Sequence, residues 1–156
     1  MKKVLSAGNI ITCLSCIFGL IGLIIYAVNV NSEGFFRGNR VAAVVTFGVI
    51  AMIAAVVVIL LTILPVKGGA AKVVDLLVMV CKVLVPVMLM IAAMTLLANR
   101  VAGFGYIFGA NEDVRAEVAT AENIASAMVA MVAIGFDYVA GIAGIVAAFF
   151  LPKRED

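Results

Sequence analysis

The chain of 156 residues is 66% hydrophobic and 13% charged, with a formal net charge of +2. Soluble domains average roughly 45–50% apolar and about 25% charged residues, so this composition excludes an ordinary soluble fold. The basic residues form no dense run, which argues against nucleic-acid binding. Lipid is the solvent that fits, and the composition indicates an all-α integral membrane protein.

The first two membrane spans are predicted from apolar segments that exceed the ~20 residues needed to cross a bilayer as a helix. They cover residues 6–30 and residues 40–64, and the second ends at Pro65. Two lysines before the first segment resemble the start of a signal peptide. The segment is longer than the apolar region of about 7–15 residues in such peptides, so we interpret it as a retained span.

The third and fourth spans are predicted at residues 71–99 and 120–151. Proline and glycine residues at 65–70 form a tight turn before the third span. The longest connection, residues 100–119, begins with a glycine- and aromatic-rich stretch and then becomes acidic and helix-prone. We therefore predict one domain, an up-down bundle of four transmembrane helices in two hairpins, with a short extracellular helix before the fourth span.

Loop lysines and arginines predict the orientation, because cytoplasmic loops carry an excess of them. Six lie on the side of the termini and four on the other side. The six are Lys2, Lys3, Lys67, Lys72, Lys153 and Arg154. We predict that both termini are cytoplasmic.

One acidic residue, Asp137, lies well inside the fourth span. A charged carboxylate at mid-helix costs at least about 2.5–3.5 kcal/mol on insertion scales, so it should face protein or water and have a partner. Two interpretations remain open. Asp137 is either a proton- or cation-handling site, or part of a structural ion pair or hydrogen bond that holds helices together.

Lys82 in the third span is the first candidate partner. At about 1.5 Å per residue it lies roughly 15 Å deep, and Asp137 roughly 22 Å deep from the same side, a gap that a lysine side chain can partly close. Asp75, on nearly the same helix face as Lys82, is a second candidate for an ion pair with it. In a third alternative, Lys82 snorkels to the interface and pairs with nothing.

Small residues in the fourth span indicate close helix approach, because they let backbones come into van der Waals contact in lipid. They include Ala140, Gly141, Gly144 and Ala147. All of them could serve contacts within one bundle. Since the span is rich in alanine and glycine over nearly its whole length, it also suggests a contact with a second copy or with a partner membrane subunit.

Four arginines on the predicted outer side are candidates for an anion or lipid head-group site. They are Arg37, Arg40, Arg100 and Arg115. Five carboxylates lie on the same side, and we therefore prefer to interpret this region as a mixed, solvated surface.

No enzymatic function is predicted. The chain has no histidine and no P-loop, zinc-protease or G-x-S-x-G motif, so we expect no enzyme, cofactor or metal site. We expect a small multi-pass protein of the cell membrane that moves a small solute or ion, or serves as a subunit of a transporter or channel. The alternative is a structural or accessory protein that binds a partner. A water-accessible cavity at Asp137 would favour the first, and a dry interior the second.

Overall fold

A computed structural model describes residues 6–150, and within them the chain is all-α, as predicted. Four of its helices are long and apolar enough to span a membrane, and a short helix precedes the last of them. The helices are α1 (Ala7–Asn31), α2 (Ala42–Ile63), α3 (Gly69–Phe104), α4 (Glu112–Val118) and α5 (Ala121–Ala148). The predicted span end at Pro152 and the predicted cytoplasmic residues Lys2, Lys3, Lys153 and Arg154 lie outside the described residues.

Three helices begin at polar capping residues that the sequence places just before the apolar stretches. Ser6, Asn111 and Thr120 accept hydrogen bonds from backbone N–H groups three residues further on, which α1, α4 and α5 would otherwise leave unsatisfied. Gly68 precedes α3 with φ of 68°, a backbone conformation that glycine adopts without strain.

The four long helices form an up-down bundle in which each helix packs against two others. Helix α1 packs on α2 and α5, and α3 also packs on α2 and α5. We call the end of the bundle that carries residues 32–41 the loop end, and the end that carries residues 64–68 the turn end. Side chains that face away from the bundle are mostly aliphatic, as expected for contact with lipid.

Helix α3 is longer than predicted. It continues through residue 104 into a π-helical turn, Gly105–Gly109, where the sequence predicted the start of the connection to the fourth span. A contact from outside the helix explains the difference. The backbone of Gly103 lies against the ring of Phe36 from the loop at residues 32–41, and a Cβ atom on Gly103 would come within 2.6 Å of Phe36 Cε1. The glycine therefore serves close packing here, and does not end the helix.

Candidate functional site

The carboxyl group of Asp137 is enclosed between α5 and α1 near the middle of the bundle. Asp137 is 1% exposed, and its Oδ2 atom is buried with no hydrogen-bond partner. Gly22 of α1 lies directly opposite. A Cβ atom on Gly22 would overlap Asp137 Oδ1 and would lie 3.0 Å from Cγ. The carboxyl group therefore occupies space that only a glycine on α1 leaves open.

Lys82 does not pair with Asp137, which corrects the pairing we preferred from the sequence. Its side chain is buried, and Nζ donates a hydrogen bond to the carbonyl oxygen of Phe150, just beyond the end of α5. Asp75 on the same helix is half-buried, and the hydrogen bond described for the Lys82 ammonium group is the one to Phe150. The position is closest to the snorkelling alternative, although Lys82 does find a partner.

The direction of side chains on antiparallel helices explains why the pair does not form. Side chains lean toward the N-terminus of their own helix. Lys82 on α3 therefore leans toward the turn end, whereas Asp137 on α5 leans toward the loop end, and the two groups diverge. The carbonyl oxygen of Phe150, just beyond the end of α5, then offers Lys82 an acceptor at the turn end.

Polar contacts between α1 and α5 lie on both sides of the Gly22–Asp137 contact. Toward the turn end, Ser15 Oγ donates to the carbonyl oxygen of Ala140 at 2.7 Å. Toward the loop end, Asn29 Nδ2 donates to the carbonyl oxygen of Ser126 at 2.8 Å, and Asn29 Oδ1 is buried without a partner. Together these contacts form a polar seam, defined by Ser15, Gly22 and Asn29 of α1 with Ser126 and Asp137 of α5.

Small residues of the first span, Gly19 and Gly22, indicate a close helix approach from the sequence, but the polar residues Ser15 and Asn29 were not predicted, although the sequence carries a signal for them. Ser15, Gly22 and Asn29 are seven residues apart, so they share one helix face. Two more buried residues, Thr12 and Gly19, continue the same face. A face of small and polar residues in an otherwise apolar span indicates a helix contact rather than lipid.

The small residues of α5 pack inside one chain, as their predicted role in close helix approach requires. Ala140, Gly141, Gly144 and Ala147 are all buried. A Cβ atom on Gly144 would meet Ser15 Oγ at 3.1 Å and Pro86 Cβ at 3.2 Å, so α1 and α3 both approach this glycine. Contacts within the chain account for this face, and the suggested contact with another subunit stays a prediction.

Arg100 is fully buried, which corrects its expected place on a solvated surface. Its guanidinium carbon lies 4.4 Å from the ring centre of Phe36, and Nη2 donates to the carbonyl oxygen of Asn39 at 2.8 Å. Cation–π contact is strongest in such desolvated places. The other three arginines are exposed, as expected, and Arg37 lies 3.8 Å from Glu33 in a solvent-exposed ion pair.

Among the described residues, two grooves on the outside of the bundle are large enough for part of an apolar ligand. One of about 600 Å³ lies between α3 and α5 near the turn end and includes Pro86 and Phe149 in its lining. The other, of about 680 Å³, lies between α1 and α2 near the loop end. Asp137 lines neither groove.

In residues 6–150, no group of three or more histidine, cysteine, aspartate or glutamate side chains could hold a metal ion. No protein-family model, curated protein or solved structure matches the chain. The polar seam around Asp137 is the candidate site.

Proposed function

We propose that this protein is a non-enzymatic, multi-pass protein of the cell membrane that moves a small solute or ion, or is a subunit of an assembly that does. Asp137 is the residue that binds the transported proton or cation, or the proton that drives transport. A single observation carries this proposal. The carboxyl group lies near the middle of a membrane-spanning helix, and no described residue donates a hydrogen bond to it or pairs with it.

The lack of a partner for the Asp137 carboxyl group bears on whether this residue has a structural role or binds a proton or cation. A structural ion pair would offset the cost of a charge in hydrocarbon, but Lys82 is bonded elsewhere. An intramembrane carboxyl group without a partner in the protein is a strong candidate for binding a proton or cation. The proposal thus rests on a buried carboxyl group to which the described residues provide neither a hydrogen bond nor an ion pair.

The polar seam supplies further groups on either side of Asp137. Ser15 and Asn29 are each seven residues from Gly22, or about 10 Å along the helix axis. If α1 moves away from α5, water and these polar groups would form a path from Asp137 to either end of the bundle. In this proposal the structure represents a closed state, and access to Asp137 requires the Gly22–Asp137 contact to open.

The second candidate is a structural or accessory membrane protein that binds a partner and has no transport path. The closed packing at Asp137, which is 1% exposed and covered by Gly22, favours this alternative. Asp137 would then be a buried packing group, and replacing its carboxyl group by an amide would leave the protein's behaviour unchanged.

Ion flux in proteoliposomes separates the two candidates. Purified protein is reconstituted, a membrane potential is imposed, and proton, sodium and potassium fluxes are followed. We expect flux of one of these ions above that of protein-free liposomes, and we expect Asp137→Asn to abolish it. Glu122→Gln, which changes an exposed carboxylate on the same helix, is the matched control and should retain the flux.

Two results would favour the accessory alternative. One is wild-type flux no greater than that of empty liposomes for all three ions. The other is equal flux in the wild type and in Asp137→Asn, which would show that the carboxyl group takes no part.

A further inference from the structure

The groove between α1 and α2 has a polar mouth and an apolar interior. Further from the loop end, its walls include Leu23 and Ala27 from α1 and Val45 and Val49 from α2. Tyr26 also lines it, and its hydroxyl group accepts a hydrogen bond from the backbone N–H of Val41 at 2.5 Å. This bond ties the ring to the start of α2, so the groove is part of the folded bundle.

A single cationic side chain stands at the mouth of this groove. Arg40 is exposed, and the one hydrogen bond of its side chain within the described chain runs from Nη2 to Asn31 Oδ1 at 3.0 Å. A guanidinium group has five N–H donors, so most of its donors remain available. The acidic residue of the same loop, Glu33, lies beside Arg37 instead. The mouth therefore carries a positive charge that the described residues leave without a carboxylate.

The depth of the groove matches the shape of a lipid molecule. Val49 follows Arg40 by nine residues, so the groove runs about 10–14 Å from the end of the bundle into the membrane. Its charged end lies at the loop end, where lipid head groups would be, and its walls below are apolar. Contact with bulk lipid chains requires no charge, whereas selecting a head group does.

We propose that this groove binds an anionic phospholipid of the leaflet at the loop end. Arg40 donates hydrogen bonds to the head-group phosphate, and one acyl chain lies between α1 and α2 against Ala27 and Val45. Arginine suits this role because its planar guanidinium group can donate two parallel hydrogen bonds to a phosphate. The proposal is independent of Asp137 and would stand if the protein transports nothing.

Native mass spectrometry in mild detergent tests the proposal. The protein is titrated with phosphatidylglycerol or with phosphatidylcholine of the same chain length. We expect one tightly bound phosphatidylglycerol and weaker binding of phosphatidylcholine. Arg40→Gln should weaken phosphatidylglycerol binding roughly 10- to 100-fold, as expected for the loss of a charge-assisted hydrogen bond. Arg115→Gln, which changes another exposed arginine, should leave binding unchanged.

Two further arms separate the groove from a simple anion site. Val45→Trp should fill the apolar part and exclude both lipids. Glycerol phosphate, which carries the head-group charge without acyl chains, should not displace the bound lipid. If Val45→Trp fails to fold, the comparison of Arg40→Gln with Arg115→Gln still decides, because both change exposed side chains.

Three results would overturn the proposal. Equal binding by Arg40→Gln and the wild type would remove Arg40 from the site. Equal losses in Arg40→Gln and Arg115→Gln would show non-specific attraction between charges. Displacement by glycerol phosphate would show that the anion alone is recognised and that the groove does not hold a chain.

Discussion

Replacing Gly22 by alanine should destabilise the bundle at the level of Asp137. The added Cβ atom would overlap Asp137 Oδ1, and would lie 3.0 Å from Cγ and 3.4 Å from the carbonyl oxygen of Ala133. The carboxyl group is enclosed, so it cannot simply turn into solvent. Either Asp137 leaves its place or α1 moves away from α5.

The expected magnitude follows from comparison with a second glycine. Gly135 on α5 is exposed, and a Cβ atom there would meet nothing within 4 Å. Both substitutions gain about 1 kcal/mol of helix propensity, whereas overpacking a close contact costs typically about 1–3 kcal/mol. Gly22→Ala should therefore be about 1–3 kcal/mol less stable than Gly135→Ala, because the propensity gain is common to both.

The assay is unfolding by sodium dodecyl sulfate in mixed micelles, followed by circular dichroism. Asp137→Ala provides the second test, since it removes the carboxyl group that the new methyl group would meet. In that background Gly22→Ala should lose most of its penalty, a coupling that a double-mutant cycle measures. Equal stability of Gly22→Ala and Gly135→Ala would refute the close contact, and an unchanged penalty without the carboxyl group would place the clash elsewhere.

Two other outcomes are expected. Lys82 is bonded to the residue just beyond α5 and not to Asp137. The losses of stability caused by Lys82→Met and Asp137→Asn should therefore add within about 0.5 kcal/mol in the double variant. A double variant that regains much of the stability lost in the single variants would show that the two residues interact. In a background without native cysteines, cysteine at Ser32 or Asn111 should react with an impermeant thiol reagent on intact cells. Cysteine at Gly68 should react only after permeabilisation, and its labelling from outside would reverse the predicted orientation.

The sequence was sufficient to predict the spans and the short helix before the last one, because these follow from the length and hydropathy of each segment. Partner choice is a different problem. Depth along the helices suggested that Lys82 and Asp137 could meet, but side-chain direction on antiparallel helices sends them apart. Axial position alone therefore does not predict an ion pair.

Arg100 illustrates a second reason why the sequence was insufficient. Its burial depends on the loop at residues 32–41, which brings Phe36 and the Asn39 carbonyl group to the guanidinium group. Nothing local to Arg100 encodes the path of that loop. By contrast, the polar face of α1 follows from the sequence alone. Ser15, Gly22 and Asn29 are seven residues apart, and this spacing places them on one face of a helix.

The central claim is that Asp137 is a functional carboxyl group that becomes accessible when α1 and α5 separate. Dicyclohexylcarbodiimide, an apolar reagent that reacts with protonated carboxyl groups, tests this directly in native membranes, with the labelled peptide located by mass spectrometry. The account predicts labelling at Asp137 in the folded protein, with none at that position in Asp137→Asn. Labelling of Asp137 only after unfolding in sodium dodecyl sulfate would contradict the claim and would make the residue a sealed packing group.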